Sequence, residues 1–483
     1  MEYLQKLKKN INENISIILK FSFIIITLAF AIPSIIYYIN NGTILNFNKY
    51  FCFLLTNNSN REYQTIIYLA ILGIMTLIYF LILKNHKAIF KNIKELVKYI
   101  AIVSVIYIAI IPFTCSDVFY YLGTGRIESK YNQNPYYTTI EETIESQKID
   151  LEKDTVMKQA SNNDWANTTV VYGPIWSLVS RIVGALSCGN IDIGLLIFKI
   201  LNIILHLLNC YLIYKISHKK LFVLLYGLNP FILIEGLMSV HNDMFVVFFI
   251  LLALYFLIKK KNLALSVISL ALASGIKYFA ILLLPFFIIY FFRKEKVSKR
   301  FIECIKYGLL FFAILGLPYL IYIQDINVFA GIFTQQGKLA KNFYIILKEY
   351  FSNNVNMVTT VNKILMLVFV LMYTIKCISL LTQKNIILRK EFKSLELILA
   401  IFIFLLITNF QPWYIMWLYP LIIWQSSNNI KLLVQVSILT QFANSIFLAY
   451  TESWKNGTPF TFIMVTGTLL LIIFNDKRRK GIN

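Results

Sequence analysis

The chain has 483 residues, of which 58% are hydrophobic, 16% aromatic and only 14% charged. That balance excludes a soluble globular protein, which needs far more charge to cover its surface. The formal net charge of +22 does not mark a nucleic-acid partner, because the basic residues are divided among short segments rather than gathered on one continuous face.

The first apolar run, FSFIIITLAFAIPSIIYYI from Phe21 to Ile39, is long enough to cross roughly 30 Å of hydrocarbon as a helix. It is too long for a signal-peptide core and lacks a small-residue cleavage site, so it is expected to remain as an anchor. Lysines and arginines gather between the apolar runs, as in KNHKAIFKNIKELVK (Lys84 to Lys98), KKK (Lys259 to Lys261) and RKEKVSKR (Arg293 to Arg300). Cytoplasmic loops have this signature. Placing them inside predicts an all-α polytopic membrane protein, one integral domain over residues 1–483, with roughly fourteen spans and both termini cytoplasmic. The expected spans are about 16–38, 65–83, 99–114, 192–214, 221–239, 243–258 and 262–275. The others are about 278–292, 302–323, 360–380, 394–410, 412–426, 431–450 and 459–474. The two flanking Lys277 are short, as tilted or broken helices would be. The tail NDKRRKGIN then falls inside.

Residues 115–187 fall outside as a large loop with nine acidic and six basic residues, a balance unlike the cytoplasmic loops. Its last part, GPIWSLVSRIVGAL, is apolar but short and carries Arg181. An interfacial helix on the outer leaflet fits better than a span, which would invert every later loop. A second outer loop, 324–359, carries Lys338, Lys341 and Lys348. The six cysteines are scattered and make no disulfide framework, and spacing alone does not pair Cys115 with Cys188. The four histidines are dispersed and no Cys-x-x-Cys occurs, so no zinc-site spacing is present. There is no internal repeat, no Asp-x-Asp and no P-loop.

Four places carry polar chemistry against an apolar background. Asp117 follows directly on the third span, where partial desolvation would make its carboxylate a general base. Its competing reading is a helix cap for Val118 to Gly125. Glu235, His241, Asn242 and Asp243 interrupt two apolar runs in NPFILIEGLMSVHND. Charges there usually serve a site, although Asn242 or Asp243 could start the next helix as a cap. Lys277, in ALASGIKYFAILLLPFF, could hold a lipid phosphate near the outer leaflet or act as an interfacial anchor. NFQPWYIMWLYP, from Asn409 to Pro420, reads as an aromatic belt or as a sugar-stacking surface.

Taken in order, SDVFYYLGTGR, NPYY, DWANTTVVYGPIW, NPFILIEGLMSVHND, SGIKYFAILLLP and QPWYIMWLYP resemble the polyprenol-phosphomannose-dependent α-(1→6)-mannosyltransferases of the GT-C superfamily. The similarity covers roughly residues 99 to 426, too many motifs in order for a chance match. It implies a GT-C fold whose first outer loop is catalytic, and a hexose, mannose by analogy, moved from a polyprenyl-phosphate sugar donor to a cell-envelope glycan or glycolipid acceptor. The family's catalytic carboxylate corresponds to Asp117. For the departing phosphate the implied helpers are Lys277, Arg126 and His241. Asn134, Tyr136, Trp165, Tyr172, Glu235, Asp243, Gln411 and Trp413 are the implied substrate-binding residues. No cofactor or divalent metal is implied, since the lipid-linked donor is itself a substrate. At Asn134 the chain has Asn-Pro-Tyr where Asp-Pro-Tyr is common, a departure that bears on sugar identity. The rival expectation is a lipid-linked oligosaccharide flippase or polymerase, for which fourteen spans are equally natural. A polar face on one side and an outer loop of roughly seventy residues favour the transferase.

Overall fold

The computed structural model of the chain describes residues 2–45, 61–336, 347–348, 355–422 and 427–450. The expected span at 459–474, the basic tail, and Lys338 and Lys341 lie outside the described residues.

Three helices lead to the large loop: α1 (Glu2–Asn41), α2 (Arg61–Ile89) and α3 (Ile93–Ile106). Asn92 caps α3, its side-chain oxygen accepting from the Glu95 amide at 2.9 Å. The loop itself folds as α4 (Asp117–Ser129), α5 (Ile140–Gln147), α6 (Thr155–Ser161) and α7 (Pro174–Leu186). Local chemistry sets those boundaries. Thr139 and Glu142 form a capping box for α5, Asp154 caps α6, and Pro174 occupies the first turn of α7. Helix α7 buries Trp176, Ser180 and Gly184 and exposes Ile182 and Leu186, the two-faced pattern expected of an interfacial helix.

Next come α8 (Ile191–Ser217), α9 (Lys220–Gly227) and α10 (Pro230–Met238). The last two meet at a 49° bend, and the cause is Asn229-Pro230. Proline supplies no N–H and drives the residue before it out of the helical region. Asn229 is accordingly extended, and its side chain accepts from the Phe231 amide at 3.0 Å. The end of α10, Leu233–Met238, is wound as a π-helix. After α11 (Asp243–Tyr255) and α12 (Leu263–Ser274), a 3₁₀ stretch, Tyr278–Leu283, leads into α13 (Leu284–Phe291). The remaining helices are α14 (Val297–Gly316), α15 (Ala330–Gln336), α16 (Val355–Thr382), α17 (Leu388–Ile401) and, beyond a 3₁₀ segment at Pro412–Leu418, α18 (Ser427–Tyr450). No strand occurs among the described residues.

Among the described residues, five helices are long and apolar enough to cross a bilayer, or six if the bent α9–α10 pair is one span. Of the other expected spans within the described residues, 431–450 falls on the 24-residue α18 and the rest on shorter helices; twelve-residue α12 rises only about 18 Å. On α14, Phe301, Ile302, Ile305, Leu309 and Phe312 are all more than half exposed. An outward apolar face of that kind needs lipid around it. This is a membrane protein.

The basic turns meet at one end of the bundle. Lys220 Nζ donates to the carbonyls of Phe90 and Lys91 at 2.9 and 3.0 Å, and Lys259 Nζ lies 3.0 Å from His218 Nε2. The large loop packs at the other end of α8, where the Thr155 hydroxyl bonds the Gly189 carbonyl and accepts from the Ile191 amide. Within the loop, α4 and α7 cross backbone to backbone at Gly125 and Gly184. A Cβ on Gly125 would overlap the Ser180 carbonyl, and one on Gly184 would overlap Gly125 itself.

The bent helix is held by a polar stripe on α8. Lys199 Nζ sits among the carbonyls of Tyr107, Ile110, Leu237 and Met238 at 3.1, 2.6, 3.0 and 2.8 Å. Asn202 donates to the carbonyls of Gly236 and His241 at 2.8 and 3.2 Å. Further along, Asn209 and the His206 ring meet the Tyr226 hydroxyl and the Gly227 carbonyl, both at 3.0 Å. Broken helices free backbone carbonyls that hydrocarbon cannot satisfy, so a neighbouring helix must supply the donors. The stripe fixes the end of α3 against the end of α10.

Candidate active site

Asp117 is the first residue of α4, preceded by Ser116, and no side chain caps that helix. The capping reading of Asp117 therefore does not hold. A carboxylate in the first turn still meets the positive end of the helix dipole, and here it has other neighbours. One oxygen lies 3.5 Å from the Tyr121 hydroxyl and 3.7 Å from His241 Nδ1. Asn242 precedes α11 in the cap position, but its side chain makes no capping bond. Asp243 turns to Lys277 instead.

His241 is wholly buried. Its ring stacks on Trp413 with centroids 3.8 Å apart and planes 20° from parallel. Nε2 lies 3.1 Å from a Glu235 oxygen, out of line for a hydrogen bond. Lys277 Nζ donates to both oxygens of buried Asp243, at 2.8 and 2.9 Å. The Tyr172, Tyr414 and Trp417 rings surround that ammonium at 5.8, 4.8 and 5.3 Å, and the Trp417 indole N–H bonds the same carboxylate. A desolvated ammonium gains from ring faces as well as from its counter-ion.

These groups surround a cavity of about 400 Å³. Asp117, Trp165, Tyr172, Lys277, Gln411 and Trp413 line it, together with Cys115, Tyr120, Tyr414 and Trp417. Its walls come from the α3–α4 turn, the Trp165–Tyr172 stretch, the α12–α13 break and the Pro412–Leu418 segment. The loop is docked onto that break by Gly173 and Ile175, whose amides donate to the carbonyls of Ile276 and Gly275 at 3.1 and 2.9 Å. A Cβ on Gly173 would overlap Gly275. Behind the wall stand Glu235, His241 and Asp243.

Three candidates sit elsewhere. Arg126 is buried against Asp154 at 2.7 Å, and that carboxylate also accepts from Tyr131 at 2.8 Å. Asn134 donates to the Tyr322 carbonyl at 2.7 Å and accepts from the Tyr136 amide. Tyr136 donates to the Tyr172 carbonyl at 3.0 Å, so it braces a wall residue from behind. Outside the cavity, burial holds the Glu128 carboxyl above the ordinary carboxylate range, against the opposing pull of Arg181 and Tyr322. Tyr414, Trp417 and Lys199 were not singled out by the sequence. Lys199 was detectable all the same: with Asn202, His206 and Asn209 it marks one helical face in an otherwise apolar run.

The arrangement as a whole is a pocket with a carboxylate, an ammonium and an aromatic wall, built from the segments that carry the ordered motifs. The family described as alpha-(1->6)-mannopyranosyltransferase, N-terminal domain, matches residues 35–293. The chain belongs to that family. That stretch of the family match holds Asp117, Glu235, His241, Asp243 and Lys277, whereas Gln411 and Trp413 lie beyond it. A curated relative, alpha-(1->6)-mannopyranosyltransferase A of Corynebacterium glutamicum, is 28% identical over 130 residues, 26% of each chain. The match thus spans about a quarter of that relative's length. No solved structure matches the chain.

Proposed function

We propose that the chain is a GT-C-type membrane mannosyltransferase. It takes mannose from a polyprenyl-monophosphate donor and transfers it to a hydroxyl of a cell-envelope glycan or glycolipid on the extracytoplasmic face. The observation that carries this reading is the meeting of Asp117, Lys277 and the aromatic wall in one cavity, from segments distant in sequence. Aromatic faces suit a pyranose, the ammonium suits a monophosphate, and the carboxylate suits an attacking hydroxyl.

In the proposed reaction the acceptor oxygen attacks the anomeric carbon as Asp117 takes the hydroxyl proton. The bond from that carbon to the phosphate oxygen breaks, and polyprenyl phosphate leaves with the electron pair. Two of the three ammonium hydrogens of Lys277 are committed to Asp243, so the third is the one offered to the leaving oxygen. A single displacement inverts configuration, and a β-linked donor gives an α-linked product.

Purified protein in lipid nanodiscs, supplied with radiolabelled donors, tests the reading. Mannose is expected to pass to the acceptor from the polyprenyl-phosphate donor without added divalent metal. Transfer from a nucleotide mannose in the absence of any lipid carrier would contradict it.

A further inference from the structure

Among the described residues, the scattered histidines and cysteines nonetheless converge once. The Cys115 sulfur, an Asp117 carboxylate oxygen and a His241 ring nitrogen all lie within 4.8 Å of one another. Neither ring nitrogen of His241 has a hydrogen-bond partner, although the ring is wholly buried. Such an orphan is costly unless something occupies it. The ring is also fixed in place, by the Trp413 stack on its face and by Asn202 on its backbone carbonyl. Its far nitrogen faces Glu235 at 3.1 Å, and metal-binding histidines regularly have a carboxylate there.

We propose that Cys115, Asp117 and His241 Nδ1 bind one zinc-class divalent cation, and that its arrival takes the Asp117 carboxylate out of use and stops transfer. The sulfur–nitrogen–oxygen donor set favours zinc over magnesium or calcium, which prefer oxygen alone. Tetrahedral zinc holds its ligand atoms about 3.5 Å apart, close to the 3.7 Å already separating Nδ1 from the Asp117 oxygen. Cys115 and Asp117 both line the cavity, which provides an entry path and leaves a fourth position for water. Binding replaces the thiol proton, which passes to solvent. The inhibitory half rests on the transferase reading, and the binding half does not.

The test uses full-length protein without a polyhistidine tag, stripped with chelator and titrated with zinc chloride. Expected are one zinc per chain and an X-ray absorption shell containing one sulfur. Cys115→Ser and His241→Gln should each weaken binding at least tenfold, and Glu235→Gln by about 10–100-fold. Zinc should stop wild-type transfer and chelator restore it. In Cys115→Ser the half-inhibitory zinc concentration should rise by the same factor as Kd. A sulfur-free shell, or unchanged affinity in both ligand variants, overturns the site. Full transfer by zinc-loaded protein overturns the switch. If metal-free protein transfers nothing, the transferase reading fails while stoichiometry and the sulfur shell still decide the site.

Discussion

The Lys277–Asp243 pair shows how single residues hold this pocket. Asp243 is wholly buried and grips the ammonium with both oxygens, so removing one partner strands a charge in an apolar wall. Breaking such a pair costs about 3–5 kcal/mol, whereas replacing both partners with apolar groups of similar size is often neutral. Asp243→Asn is therefore expected to melt well below wild type by intrinsic fluorescence. The double variant Lys277→Met with Asp243→Leu should melt close to wild type yet transfer no sugar. Equal instability in single and double variants would mean that the pair is not what matters there. Both residues were legible in the sequence because charge in an apolar run is costly and stands out. Their pairing was not, since 34 positions separate them and only the α12–α13 break brings the lysine back to α11. Arg126 was singled out by its motif alone. Only the fold reveals Asp154 beside it.

At the scale of elements, glycine decides where helices touch. Gly125 and Gly184 let α4 and α7 cross in backbone contact, whereas a Cβ on Gly73 of α2 would meet nothing within 4 Å. Gly125→Ala is expected to lower the melting temperature and activity together, because α4, which carries Asp117, must separate from α7. Gly73→Ala should leave both unchanged or raise stability by up to about 1 kcal/mol, the ordinary helix preference of alanine over glycine. A Gly125→Ala protein as stable and active as wild type would mean that the two helices have room to spare. Helix positions themselves were legible from apolar runs, whereas the caps at Asn92, Asn190 and Asn262 emerge only in the fold. The π-wound end of α10 was not, because it depends on donors from Lys199 and Asn202 on another helix.

For the whole molecule, the proposed orientation puts the basic turns in the cytoplasm and the loop of α4 to α7 outside. Exposed Glu145 in that loop and exposed Lys260 at the α11–α12 turn are suitable reporters. In a background without native cysteines, a membrane-impermeant maleimide applied to intact cells should label Glu145→Cys and spare Lys260→Cys. The reverse pattern would invert the scheme. The central claim concerns Asp117, since the fold gathers the other wall residues around its carboxylate. Asp117→Asn keeps the size and the position at the start of α4 but removes the base. The decisive measurement is mannose transfer from the lipid donor by purified wild-type and Asp117→Asn protein, matched for melting temperature and donor binding. The expected result is a fall of about two to four orders of magnitude, and near-wild-type turnover by the folded variant would contradict it.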